Sequence, residues 1–137
     1  MAKRNPVDLT NMVMVYREDG SFLVQMRKKN DWPGLNFPGG HIEDNETAEE
    51  SAIREIREET GLEIKDLEAC GFFEWNVPAE HIRYISVLYR TKNFSGEIKS
   101  SSEGEVFWIK RPDVAKYPLS TDFDKILLIM LKGLEIE

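Results

Sequence analysis

Apolar positions along the chain fall into short runs with two different periods. NMVMVYRE (11–18) is almost continuously apolar and Val-containing, Asp19-Gly20 follows as turn residues, and SFLVQMRKK (21–29) alternates. Two such runs around Asp-Gly predict a β-hairpin. NDWPGLNFPGG (30–40) reads as loop, with Pro33-Gly34 and Pro38-Gly39-Gly40 as breakers around a short strand-like Leu35-Asn36-Phe37. LEACGFFEWNV (67–77) and HIRYISVLYRTKN (81–93) are aromatic and β-branched and meet around Pro78, which predicts a second antiparallel pair. GEVFWIK (104–110) predicts one more strand.

The helical period occurs twice. Residues 47–60 are strong helix formers. Thr47 with Glu50 three residues on makes a capping box, and Gly61 stands where a C-terminal cap belongs. STDFDKILLIMLKGL (120–134) predicts a closing amphipathic helix. The mixture predicts an α+β fold, a mainly antiparallel or mixed sheet flanked by helices. With 137 residues and no repeat, low-complexity tract or linker, the range 1–137 reads as a single domain.

Composition changes this picture little. Hydrophobic residues make up 41% and charged residues 31%, an ordinary globular balance. No apolar run is long enough to span a bilayer, and the basic start MAKRNPVDLT has no apolar core behind it, so no membrane partner or secretory signal is expected. One cysteine, Cys70, rules out an internal disulfide framework and suits a reducing cytoplasmic setting. An acidic pI near 5.0 argues against a nucleic-acid polymer as partner. The apolar last helix and the aromatics would permit a homodimer.

The distribution of charge is more telling. The stretch GHIEDNETAEESAIREIREETGL (40–62) holds eight acidic and two basic residues, so its net −6 accounts for nearly all of the chain's formal −7. At about 100° per residue, Ala48, Ala52, Ile53 and Ile56 form an apolar arc of the helix. Glu55, Glu58 and Glu59 adjoin it, Glu59 overlapping its edge, while Arg54, Arg57 and Glu50 point into water. Like charges at this spacing repel, and Arg54 is expected to reach only Glu58. Two readings follow: a solvated acidic helix, or a site for a divalent cation. Oxygen ligands would favour Mg²⁺ or Mn²⁺, with the Gly39-Gly40 turn letting a bare carbonyl approach.

Gly40, Glu46, Arg54-Glu55-Ile56, Glu58-Glu59 and Gly61-Leu62 match the Nudix box at every fixed position. With LNFPGG and Arg27 before the box and EVFWI after it, the chain resembles MutT-type Nudix hydrolases over about residues 10–131. The resemblance implies an α/β/α sandwich, a mixed curved sheet flanked by the box helix (47–60) and the C-terminal helix (120–134). It implies Mg²⁺-dependent hydrolysis of a nucleoside diphosphate linked to a further group. Gly40, Glu55 and Glu59 would be metal ligands, Glu58 a ligand or general base, and Arg54 a catalytic-site residue holding a glutamate in place. Glu46 would support the loop and the first helical turn. Glu103, and less so Glu105, would add a ligand or base, and Arg27 would pair with substrate phosphate.

The substrate implied is a nucleoside triphosphate cleaved to monophosphate and pyrophosphate, with oxidised dGTP as a candidate. Asn36 would contact the base. Asp122 falls where related sanitisers read a modified guanine, but their Asn or paired Asp is not reproduced, so Asp122 would bind substrate or cap the last helix. ADP-ribose, dinucleoside polyphosphates and nucleotide sugars are the alternative substrates. A non-catalytic nucleotide sensor is the third reading. His41, His81 and Cys70 are expected to be structural. One or two of Phe72, Phe73, Trp75 and Tyr84 would stack on a base, and Trp32 would line the mouth of the site.

Overall fold

The computed structural model describes residues 5–30 and 32–136. Residues 1–4 of the basic start, Asp31 of the 30–40 loop and the last residue of the range 1–137 lie outside the described residues. The elements are β1 (Val7–Val15), β2 (Phe22–Arg27), β3 (Gly34–Asn36), β4 (Gly39–His41), α1 (Ala48–Thr60), β5 (Glu63–Lys65), β6 (Glu68–Val77), β7 (Ile82–Thr91), β8 (Asn93–Ser95), β9 (Gly104–Ile109) and α2 (Phe123–Leu131). One sheet runs β4-β1-β7-β6, a second β3-β2-β9, and β5 pairs with β8. β1 and β7 are parallel, which makes the four-stranded sheet mixed. The fold is the expected α+β arrangement of curved sheets with few helices.

The first hairpin is corrected. The Asp-Gly turn forms, with the Arg17 N–H donating to the Ser21 carbonyl and a single bridge between Tyr16 and Phe22. The strands then part into different sheets: β1 pairs with β4 and β7, and β2 with β3 and β9. The cause is burial on both faces. Val13 and Val15 join one apolar cluster and Met14 the other, all three fully enclosed, so strand neighbours and not the turn decide the pairing. The second pair, β6 with β7, is antiparallel as expected, with a bulge between Ala69 and Gly71. The Pro38-Gly39-Gly40 breaker is also a strand edge, since Gly39 and Gly40 pair with β1.

α1 carries both halves of its capping box. The Thr47 hydroxyl accepts from the Glu50 N–H at 3.1 Å, and the Glu50 carboxylate accepts from the Thr47 N–H at 2.9 Å. Gly61 at φ 81° closes it in the left-handed conformation. α2 is shorter than the 120–134 expected. The Ser120 N–H and hydroxyl both donate to the Leu35 carbonyl at 3.1 Å, tying this segment to β3, and Asp122 at φ 64° turns the chain before the helix starts. Two apolar clusters result. Ala52 and Ile56 of α1 meet Val13, Val15, Leu23 and Val106. Phe123, Ile126 and Met130 of α2 meet Met14, Phe22, Val24, Leu35 and Phe37.

Candidate active site

The helix wheel places Arg54 in water, and the structure corrects this: its side chain is only 23% exposed. Nε and Nη2 donate to the two Glu46 oxygens at 3.0 and 2.7 Å, and Nη1 donates to Glu55 at 3.0 Å and Glu58 at 3.2 Å. Nη2 also donates to the His41 carbonyl at 3.2 Å. The guanidinium thus gathers three carboxylates where only Glu58 was expected. Long side chains let it fold back over the first turn, so its Cα direction on the wheel misleads. Its paired hydrogen bonds hold the Glu46 carboxyl down to about 2, with a further bond from the Glu43 N–H helping.

Glu59 is the deepest of the carboxylates, 5% exposed, and accepts from the Gly39 N–H at 2.8 Å. Burial pushes its pKa up to about 8 against that hydrogen bond, and Glu55 and Glu103 add to the rise. Burial also raises Glu55, opposed by Arg54. Gly40 lies under the Glu55 side chain: a Cβ there would stand 2.5 Å from the carboxylate carbon, so any larger residue would push that carboxylate out of its place. Glu103 approaches from the β8–β9 connection and accepts from Arg27 at 3.2 Å and Lys29 at 2.7 Å.

Glu46, Arg54, Glu55 and Glu58 are thus in direct contact, Glu59 stands on β4, and Glu103 is near enough to shift Glu55 and Glu59. Among the described residues no three His, Cys, Asp or Glu side chains stand in a preformed ligating cluster. Glu55 and Glu58 turn to Arg54, and Glu59 to Gly39.

Beside these groups opens a cleft of about 430 Å³, lined by Arg27, Asn36, Gly39 and Gly40, with Trp32, Trp75 and Tyr84 as an aromatic wall. Trp32 meets Trp75 edge to face, ring centroids 4.7 Å apart. The Trp75 indole N–H donates to Asp122 at 2.9 Å. Asp122 is not among the residues that border this cleft, and its side chain caps no helical N–H. His41 pairs with Asp8 at 3.1 Å. Sequence reasoning passed over Gln25, a buried amide on the cleft; the signal was a lone polar residue inside the apolar run FLVQM.

A capped helix carrying clustered carboxylates lies beside a mixed sheet and opens onto a largely apolar cleft, an arrangement able to serve hydrolysis of a phosphate ester or anhydride. The model of the NUDIX domain matches residues 8–128, and the chain belongs to that family and is a Nudix hydrolase. It is 33% identical over 120 residues to an ADP-ribose pyrophosphatase of Methanocaldococcus jannaschii, covering 82% of this chain and 67% of that one. It is 31% identical over 113 residues to an oxidized purine nucleoside triphosphate hydrolase of Danio rerio, covering 82% and 70%. In fold it is similar to the MutT protein from Methanosarcina mazei Go1, with TM-score 0.77, 18% identity, and 98% and 100% of the two chains covered. Among the described residues no helix is long and apolar enough to cross a membrane.

Proposed function

We propose that residues 1–137 act as a single cytoplasmic domain that hydrolyses a nucleoside triphosphate to the monophosphate and pyrophosphate, with oxidised nucleotides such as 8-oxo-dGTP as the substrate class. The observation that carries this reading is the carboxylate set gathered by Arg54 beside a cleft with an aromatic wall. The oxidized purine hydrolase of Danio rerio, similar over most of the chain, supports the substrate class.

The donor set fits a hard divalent cation. Glu59 is a nearly enclosed carboxylate with one N–H partner, and Glu55 and Glu103 press further negative charge upon it. Glu55, Glu58 and Glu59, with the Gly40 carbonyl, would hold Mg²⁺ or Mn²⁺. When bound, the metal neutralises phosphate charge and lowers the pKa of the attacking water. Arg54 keeps the carboxylates from splaying apart and is a positioning residue. Glu58, its side chain 58% exposed, is free to rotate toward the water as base or toward the metal as ligand. Arg27 exchanges Glu103 for a substrate phosphate, releasing that carboxylate as a further ligand or base. Asn36 contacts the base. Asp122 acts through Trp75, fixing the indole that forms the pocket wall.

The test is release of phosphate or pyrophosphate from dGTP, 8-oxo-dGTP, the other dNTPs, ADP-ribose and a diadenosine polyphosphate, with Mg²⁺ and with EDTA. Metal-dependent preference for 8-oxo-dGTP by kcat/KM supports the proposal. Preference for ADP-ribose, which the Methanocaldococcus relative's name favours, replaces the substrate and keeps the site. Nucleotide binding without turnover of anything in the panel points to a sensor. Glu103→Gln is expected to lower kcat about 10-fold, less than loss of a helix carboxylate, because its part is auxiliary. Unchanged kcat in that variant returns Glu103 to a purely ionic role with Arg27 and Lys29.

A further inference from the structure

Gln25 is one of two buried amides on the cleft that the reaction leaves unused, the other being Asn11 of β1. Gln25 sits in β2 opposite Asn36 of β3, an antiparallel pair whose side chains share one face of the sheet. Both line the cleft. Gln25 is 2% exposed, and among the described residues its Nε2 has no hydrogen-bond partner. An enclosed amide donor left unpaired is destabilising, whereas an apolar residue of the same shape would cost nothing there. Arg27, two residues along the same strand, faces the same side, and on the reading above it takes the phosphate. Gln25 therefore stands on the base side of Arg27, next to Asn36.

The neighbouring amide has a fixed orientation. Asn36 Oδ1 accepts from the Phe37 N–H at 3.0 Å, which leaves its Nδ2 as the end available to a ligand. Two adjacent donors call for an acceptor oxygen between them. Guanine presents O6, which has two lone pairs and is retained in 8-oxoguanine although N7 there carries a hydrogen, whereas adenine replaces O6 with an amino donor.

We propose that Gln25 is a specificity-determining residue whose Nε2 donates to O6 of a 6-oxopurine beside Asn36, so that the pocket selects guanine- and hypoxanthine-type nucleotides against adenine ones. This rests on the nucleoside triphosphate reading above and deepens it. It also turns the choice between an oxidised guanine nucleotide and ADP-ribose into a question about one side chain.

The experiment compares kcat/KM for dGTP, dITP and dATP in the wild type, Gln25→Leu and Gln25→Glu, with thermal denaturation of each. The wild type is expected to prefer dGTP and dITP over dATP by about 10–100-fold, the discrimination of one good base-edge contact. dITP shares O6 with dGTP and lacks its 2-amino group, so parallel behaviour of the two locates the contact at O6. Gln25→Leu is expected to bring the three substrates to within about 3-fold of one another, with an unchanged or raised Tm. Gln25→Glu, an acceptor in place of a donor, is expected to move preference toward dATP.

Turnover with an unaltered dGTP/dATP ratio in Gln25→Leu overturns the inference alone. So does a lowered Tm with an unaltered ratio, because it would mean that the amide serves the fold, for instance by reaching Asn11 Oδ1, which among the described residues has no partner either. No turnover of any nucleotide by the wild type with Mg²⁺ removes the nucleoside triphosphate reading, and this inference falls with it.

Discussion

Glu59→Gln is expected to cut kcat by about 10²–10³-fold while making the metal-free protein more stable at pH 8. The two effects have one origin. The Glu59 carboxylate is enclosed between α1 and β4 with the Gly39 N–H as its hydrogen-bond partner, a poor home for a charge without a cation. Its pKa is about 8 in the folded protein against 4.5 when solvated, so the folded state holds the proton more tightly. Stability from this group is therefore complete below about pH 4.5 and is lost as pH rises toward 8. The neutral amide avoids that loss and can still accept from Gly39, yet offers a metal no anion. Thermal denaturation in EDTA at pH 5, 6.5 and 8 should show the variant's advantage growing with pH. Equal Tm differences at all three values would mean that Glu59 is not the group responsible. Adding Mg²⁺ should raise the wild-type Tm at pH 8 more than that of the variant.

Arg54→Lys is expected to lower both metal affinity and kcat/KM by about 10–100-fold, the usual cost of losing the group that orients ligands. Lysine keeps the charge but lacks the planar fork. It cannot make the paired bonds to Glu46 while also reaching Glu55, Glu58 and the His41 carbonyl. Without that network Glu55 and Glu58 repel each other unrestrained. Mn²⁺ titration followed by spin resonance reads the affinity directly, and steady-state kinetics read the rate. A variant with wild-type Mn²⁺ affinity and rate would show that charge alone suffices. Glu46→Gln is a useful companion: it weakens the anchor of Arg54 without touching a proposed ligand, and should move the same two quantities by a smaller amount.

Much of this was legible in the sequence because local signals and global packing agree along 40–62. Thr47, Glu50 and Gly61 bound the helix by backbone chemistry that needs no partner, and the apolar Ala52 and Ile56 settle which face is buried. The wheel also put Glu59 at the edge of that face, where it is found. Legibility failed where the deciding contact came from elsewhere in the chain. Nothing local says that β1 will be covered on both faces, so the Asp19-Gly20 turn suggested a hairpin that the two sheets override. Arg54 was misjudged because its main partner, Glu46, precedes the helix and is brought over it by the loop. Asp122 was weighed as a base reader or a cap, and its bond to Trp75 spans 47 residues that no pattern connects. Gln25 passed unnoticed because one amide in an apolar run carries no period.

The parting of β1 from β2 also has a consequence for how this enzyme can change over time. The carboxylates proposed to hold the metal ride on α1 and lean on β4, which pairs with β1. The residues proposed to read the base, Gln25 and Asn36, belong to the other sheet. Chemistry and selectivity thus rest largely on different sheets, which also meet where Ala52 and Ile56 of α1 pack on Leu23 of β2 and Val106 of β9. A substitution at Gln25 or Asn36 can alter what enters without touching the carboxylates of α1, which gives such a chain room to acquire new substrates through single steps.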